Sequence, residues 1–166
     1  MKSLLALVIA TLVGLPAAAQ EVGRDAGDPP PAQEPAGPAL DIRDAAEVTL
    51  EEFLWLKRLL IVFADTERDP SFRKQMEFIL ERPTDLIERD VVVIVDTDPA
   101  NPSAVRRKLR PRGFGFVLIG KDGVVALRKP TPWETREIAR TIDKMPLRLD
   151  EIRARKAAQQ QEQEAR

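Results

Sequence analysis

The chain has 166 residues, with 26 Lys and Arg against 27 Asp and Glu, and no His, Cys or Tyr. It therefore has no disulfide, thiol nucleophile, Ser-His-Asp triad, Cys-ligated zinc or iron–sulfur centre, or imidazole metal site. A net charge of −1 leaves no electrostatic footprint of a nucleic-acid binder.

The first segment reads as an export signal. Lys2 supplies the single cation of a short n-region, and Leu4 to Leu15 form an apolar run of about a dozen residues. That run is too short to span a bilayer and has the length of a signal-peptide core. Pro16 ends it, and Ala17-Ala18-Ala19 supplies the small residues of a cleavage site after Ala19. Residues 1–19 are read as a signal peptide, which sends the mature chain to the periplasm or outside the cell. No transmembrane segment is expected after cleavage. Export to an oxidising compartment without any Cys means that the core alone must hold the fold.

Residues 20–46 are rich in Pro, Ala, Asp and Glu, as in Asp28-Pro29-Pro30-Pro31. Such a stretch buries too little apolar area to offset its ordering entropy, so it is read as a disordered, partly polyproline II linker. A single domain is expected over residues 47–153, long enough for one core. Residues 154–166 are Ala, Gln, Glu, Lys and Arg without an apolar stripe. They are read as a polar helical or disordered tail.

Within the domain, Leu50, Phe53 and Leu54 form a short apolar helix face. Leu59–Phe63 is a continuous apolar run, the pattern of a strand covered on both faces. Asp69-Pro70 reads as an N-cap with Pro at the first helical position, and Phe72, Met76, Ile79 and Leu80 follow at helical spacing. Val91–Val95 is a second buried strand. Asn101-Pro102 opens a shorter helix in the same way. Phe116–Ile119 is a third strand, and Asp122-Gly123 is the favoured type I′ pair leading to a fourth at Val124–Leu127. Thr131-Pro132-Trp133-Glu134 reads as a capping box, with Ile138, Ile142 and Met145 turned inward and Trp133 in the core. Pro146 breaks that helix, and a last one starts near Leu149.

The order is α-β-α-β-α-β-β-α-α. The first two strands, joined through a helix, are expected to be parallel, and the third and fourth to be antiparallel neighbours in a hairpin that closes the sheet. The fold class is therefore α/β and thioredoxin-like, with a four-stranded mixed sheet of two parallel strands plus a C-terminal β-hairpin, flanked by helices.

Several segments taken together carry a resemblance. They are Phe53-Leu54-Trp55, Ile61-Val62-Phe63-Ala64 with Asp69-Pro70 and Gln75, and Glu88-Arg89-Asp90-Val91-Val92. Leu118-Ile119-Gly120-Lys121-Asp122-Gly123 follows, and then Asp143-Lys144-Met145-Pro146-Leu147-Arg148-Leu149-Asp150-Glu151-Ile152-Arg153. Across about residues 48–153 the chain resembles the uncharacterised bacterial domain family DUF4174, a domain also found in animal sushi-repeat extracellular-matrix proteins. The resemblance implies a thioredoxin-like fold distantly similar to peroxiredoxins, with no established catalytic residues. In thioredoxins the redox Cys pair follows the first central strand, and by that comparison its positions fall near Glu67 and Pro70. The thioredoxin cis-proline falls near Gly115. Both hallmarks are missing, so the resemblance carries the fold and not the chemistry.

Four segments are candidates for function. Asp65, Glu67 and Asp69 lie at the C-terminal end of a central strand, the usual ligand edge of an α/β sheet. Alternating carboxylates are the donors that Ca²⁺ or Mg²⁺ require, but the preferred reading is a helix cap at Asp69 and solvated neighbours, with no metal site. Arg106-Arg107-Lys108, Arg110 and Arg112 place five cations within seven residues. They suit a helix C-terminus or an anionic partner, and Arg110 or Arg112 is expected to pair with Asp65 or Glu67. Gly113-Phe114-Gly115 precedes a strand instead of opening a helix, so it is read as a close backbone approach and not a phosphate loop. Arg148 and Glu151 form either a structural clasp, with Arg148 capping a helix end or pairing with Asp143 or Glu151, or a recognition surface. Lys121 at the hairpin tip is read as a solvated turn residue.

The resulting binding rim is Asp65, Glu67, Asp69, Arg110, Arg112 and Arg148. No catalytic residue and no cofactor is assigned. The functional expectation is a redox-inactive binding module in the cell envelope. Its partner is an envelope protein or an anionic polymer, not nucleic acid. The alternative is a hydrolase-like enzyme using carboxylates and Arg.

Overall fold

A computed structural model of the chain describes residues 39–165. The expected signal peptide and most of the expected linker lie outside the described residues. Five strands run in chain order: β1 Ile42–Asp44, β2 Arg58–Phe63, β3 Val91–Asp96, β4 Gly115–Ile119 and β5 Val125–Lys129. The helices are α1 Pro70–Glu81, α2 Pro83–Ile87, α3 Ala104–Leu109, α4 Thr135–Asp143 and α5 Pro146–Glu164, with a 3₁₀ turn at Glu51–Phe53.

The sheet order is β1-β3-β2-β4-β5. β2 lies parallel to β3 and antiparallel to β4, with Leu60 level with Val93 on one side and Leu118 on the other. All six residues of β2 are buried, which is why its sequence is a continuous apolar run instead of an alternation. Leu60, Val62, Val93 and Leu118 face α1, α2 and α4 through Ile79, Leu86, Ile138 and Ile142. Leu59, Ile61, Val92 and Ile119 face α3 through Val105 and Leu109, together with Ala45 and Val48. Each such side chain contributes ~1.5–3 kcal/mol on burial, and with no Cys in the chain this two-sided core carries the domain.

The topology is the thioredoxin-like arrangement, with differences from the expected one. The sheet has five strands, not four, because β1 inside the expected linker pairs with β3. β1 is three exposed residues at a sheet edge, too short for any periodicity to show. The apolar residues before β2 form only a 3₁₀ turn. Leu80 is 59% exposed, and Gln75 is buried on the inner face of α1 in addition to Phe72 and Ile79. The Gln75 side chain is satisfied by both backbone groups of Trp133, which explains its place in the core. Trp133 itself is half-buried and stacks on Phe116 at 6.4 Å. Helix α3 is capped by Ser103, whose Oγ accepts from Arg106 N, and not by Asn101. Helix α4 starts at Thr135 after Glu134 without a side-chain cap, and α5 starts at Pro146.

The hairpin is not type I′, since Gly123 has a positive φ of 76° and Asp122 does not. Gly120 and Gly123 close a tight turn, and Gly123 takes the left-handed position of a three-residue loop. Gly115 marks the close approach expected of it: a Cβ there would stand 3.1 Å from the Lys129 carbonyl oxygen.

Asp69 caps α1 by accepting from Ser71 N at 2.8 Å and Phe72 N at 3.1 Å. Asp69→Ala is predicted to cost about 1 kcal/mol, a fall in Tm of roughly 5 °C by thermal denaturation. Leu80→Ala, on the exposed side of the same helix, is predicted to stay within ~0.5 kcal/mol of the parent.

Candidate functional site

β2 and β3 end side by side, with Phe63 level with Asp96. The Asp96 carboxylate is buried there and holds Arg106, itself only 8% exposed. Arg106 Nε donates to Asp96 Oδ1 at 2.7 Å. Its Nη2 donates to the carbonyls of Ala64 at 2.8 Å and Asp96 at 2.9 Å. Ser103 Oγ donates to the other Asp96 oxygen at 2.6 Å. The guanidinium lies over the Phe63 ring at 5.5 Å. Carbonyls at the ends of two parallel strands, where ligands of α/β sheets are usually received, are thus occupied by the protein's own arginine.

Asp65 and Glu67 are exposed in the loop that follows. Among the described residues no ion pair joins either of them to Arg110 or Arg112, and no carboxylate cluster is arranged to hold a metal ion. The two segments do adjoin: a Cβ on Gly113 would stand 3.9 Å from Asp65 Oδ2. Next to them a groove of about 230 Å³ is lined by Arg110, Arg112, Arg128 and Lys129, with Phe63, Phe114 and Phe116 as its apolar part. No carboxylate lines it.

Local structure fixes several of these cations. Arg110 occupies the left-handed position that ends α3, at φ 50°, and its N–H donates to the Arg106 carbonyl at 2.8 Å. Arg128 Nη1 donates to the Leu109 carbonyl at 3.0 Å, and Lys129 Nζ lies 4.7 Å from the centre of the Trp133 ring. Arg128 and Lys129 are neighbours on β5 and project to opposite faces of the sheet edge.

Arg148 does not belong to this rim. It sits at the opposite end of β2, which a six-residue strand places ~20 Å away. There it joins a second ionic cluster that the sequence reading only partly anticipated. Arg58, the first residue of β2, is 1% exposed. It donates to the Arg89 carbonyl at 2.9 Å and to Glu151 Oε1 at 3.0 Å, and its Nε has no partner. Lys121 Nζ lies 2.9 Å from both Asp90 and Glu151. Arg148 reaches Glu151 at 3.2 Å and Asp143 at 3.5 Å. Arg89 grips Asp143 with two bonds of 3.0 and 2.7 Å.

Burial pushes the Glu151 carboxyl up, but hydrogen bonds from Lys121, Arg58 and Arg148 outweigh it and hold its pKa at about 2. Asp143 is likewise held below its ordinary value, with burial opposed by Arg89 and Arg148. Lys121 is therefore engaged in this cluster instead of being a solvated turn residue. Four of the sequence segments that carry the family resemblance meet here: Trp55, Arg89-Asp90, the Gly120–Gly123 hairpin and the Asp143–Arg153 stretch. Trp55 is held in a left-handed conformation at φ 65°, and its N–H donates to the Lys121 carbonyl at 2.6 Å.

Sequence reasoning missed Arg58 and Arg106 as buried groups. An Arg abutting a continuous apolar run was the available sign for Arg58. The helical position three after a Ser cap, on the same face as Val105 and Leu109, was a weaker sign for Arg106.

The family model described as Domain of unknown function (DUF4174) matches residues 49–151, and the chain belongs to that family. Among solved structures, the chain is similar to Plasmodium vivax 2-Cys peroxiredoxin, at 15% identity and a TM-score of 0.47, covering 58% of this chain and 81% of that one. It is similar to Plasmodium yoelii Prx1a at 19% identity and a TM-score of 0.46, covering 58% and 77%. It is also similar to chloroplastic thioredoxin z at 20% identity and a TM-score of 0.42, covering 63% and 94%.

Two predictions follow from the ionic geometry. Because the folded-state pKa of Glu151 lies below the unfolded value of 4.5, its ion pairs stabilise the fold above that pH, and this contribution is lost as pH falls toward about 2. Glu151→Gln should therefore lower Tm at neutral pH and remove the largest share of the loss of stability between pH 4.5 and 2, read by thermal denaturation across that range. Arg106→Ala strands the buried Asp96 carboxylate and should cost about 3–5 kcal/mol in chemical denaturation.

Proposed function

We propose that this protein is an exported thioredoxin-like module without thiol redox chemistry, working in the periplasm by binding an acidic segment of another envelope component, a protein or an anionic polymer. The observation that carries this reading is the groove of Arg110, Arg112, Arg128 and Lys129, with half-buried Phe114 at its surface, the buried Phe63 and Phe116 behind it, and no carboxylate in its lining. Cations of one sign attract an anionic partner at long range, and Phe114 offers an apolar contact at short range. The position also fits, because the groove includes Phe63 at the C-terminal end of β2, the side of an α/β sheet where ligands are usually received. Export is supported by the apolar leader and the Ala17–Ala19 site. Among the described residues no helix is long and apolar enough to cross a membrane.

The enzyme alternative draws little from the geometry. Asp65 and Glu67 are exposed on a loop, and neither lines the basic groove. Asp96 is buried but fully occupied by Arg106 and Ser103.

The test is capture from envelope extract by the mature chain, beside a variant carrying Arg110→Ala and Arg112→Ala. The reading predicts one specific component retained by the parent, reduced at least tenfold in the variant, and released by raised salt, since exposed ion pairs are screened. Equal retention by both chains would remove the groove from the account.

A further inference from the structure

The other end of the sheet carries a cavity that the proposed function does not use. It holds about 190 Å³, and its lining includes Arg58, Lys121, Met145, Pro146, Leu147 and Val124. Beneath it Arg58, Arg89, Lys121, Arg148 and Lys57 interleave with Asp90, Asp143, Glu151 and Glu88, and Arg58 and Arg148 are less than a tenth exposed. Arg58 lines the cavity, is 1% exposed, and has an Nε donor without a partner. A buried donor left unpaired costs about 1–3 kcal/mol, so an acceptor there would be welcome.

A second set of donors points to the same ligand. Helix α5 opens at Pro146 with no side-chain cap. The N–H groups of Leu147 and Arg148 therefore have no intrahelical partner, and the positive end of a 19-residue helix lies at the cavity wall. Lys121 uses its ammonium on two carboxylates and keeps a third N–H. Around these donors the wall is apolar: Met145, Leu147, Val124 and Ala126. A neighbouring cavity shares Lys121 and Leu147 and reaches Trp55, which is 65% exposed; Ala154 and the carboxylates Asp150 and Glu151 complete its lining, so only its Leu147–Trp55 side is apolar. Asp122 also lines the first cavity, but it is exposed and its Oδ1 accepts from Val124 N.

We propose that this cavity is a binding site for a carboxylate carried on a short aliphatic chain, with the carboxylate on the Arg58, Lys121 and α5 N-terminal donors and the chain along Leu147 toward Trp55. Such a group occurs both in a free aliphatic acid and at the C-terminus of a peptide ending in an apolar residue. The site is separate from the basic groove and stands or falls independently of it.

The test is titration of the purified protein with hexanoate, followed by backbone amide chemical shifts, with hexan-1-ol and chloride as controls. The proposal predicts saturable shifts at Lys121, Leu147 and Arg148 with hexanoate and none with either control. Lys121→Met should weaken binding at least tenfold. Leu147→Glu changes an exposed residue, so it leaves the core intact, and should weaken binding to a similar extent through like-charge repulsion. N-acetyl-leucine and its amide form the second arm. Tighter binding of N-acetyl-leucine than of hexanoate assigns the site to peptide C-termini, and the reverse assigns it to free acids. Absence of saturation, equal shifts with hexan-1-ol, or shifts confined to residues 110–116 would overturn the proposal.

Discussion

Arg58 opens the central strand with a guanidinium withdrawn from water, and one end of the molecule is organised around that charge. An isolated buried cation costs several kcal/mol, so partners must come from elsewhere in the chain. They are the Arg89 carbonyl before β3 and Glu151 in the second turn of α5, and Glu151 in turn draws in Lys121 of the hairpin and Arg148, which reaches Asp143 at the end of α4. Glu151 is the hub, touching Arg58, Lys121 and Arg148 at once. This is what fixes α5, whose residues beyond Ile152 are all exposed and have no core of their own to settle on. Arg89-Asp90, Lys121 and the Asp143–Glu151 stretch are far apart in the chain and adjacent in space in this one ionic cluster.

The two ends of the sheet solve their charge problems differently. At the start of β2 a mixed cluster draws both signs together, leaving the donors around Arg58 and the α5 N-terminus as its surplus. At the end of β2 the Arg106–Asp96 pair is closed on itself, and the cations that follow it face solvent. A thioredoxin-like chain without Cys has no use for a reactive strand end, and here Arg106 seals the Ala64 and Asp96 carbonyls. The adjoining groove carries Arg110, Arg112, Arg128 and Lys129 with no carboxylate in its lining.

Much of the fold was legible because its strongest signals are local. Three continuous apolar runs can only be strands covered on both faces, and Asp69-Pro70 can cap a helix without help from the rest of the chain. β1 was not legible, since three exposed residues gain their strand geometry entirely from pairing with β3. The hairpin was read by its Asp-Gly pair, but the loop is one residue longer, and the register shift beside Leu118 and Ile119 accommodates it. The site was half legible. Arg110 and Arg112 could be grouped by sequence proximity, and the clasp of Arg148 with Asp143 or Glu151 by the reach of one Arg fork to nearby carboxylates. Which end of the sheet each group occupies depends on chain direction through β2, and that separated Arg148 from Asp65. Arg58 and Arg106 had only weak local signs, because Glu151, which pairs with Arg58, is 93 residues away and the Ala64 carbonyl, which accepts from Arg106, is 42 residues away.

The central claim is that the Arg112 groove meets a partner in the cell. The most direct measurement places a photo-crosslinking residue at position 112 and, separately, at position 77 on the exposed side of α1, in cells that make the protein. The account predicts a discrete adduct from position 112 and none from position 77. Adducts from both positions alike, or from neither, would contradict it.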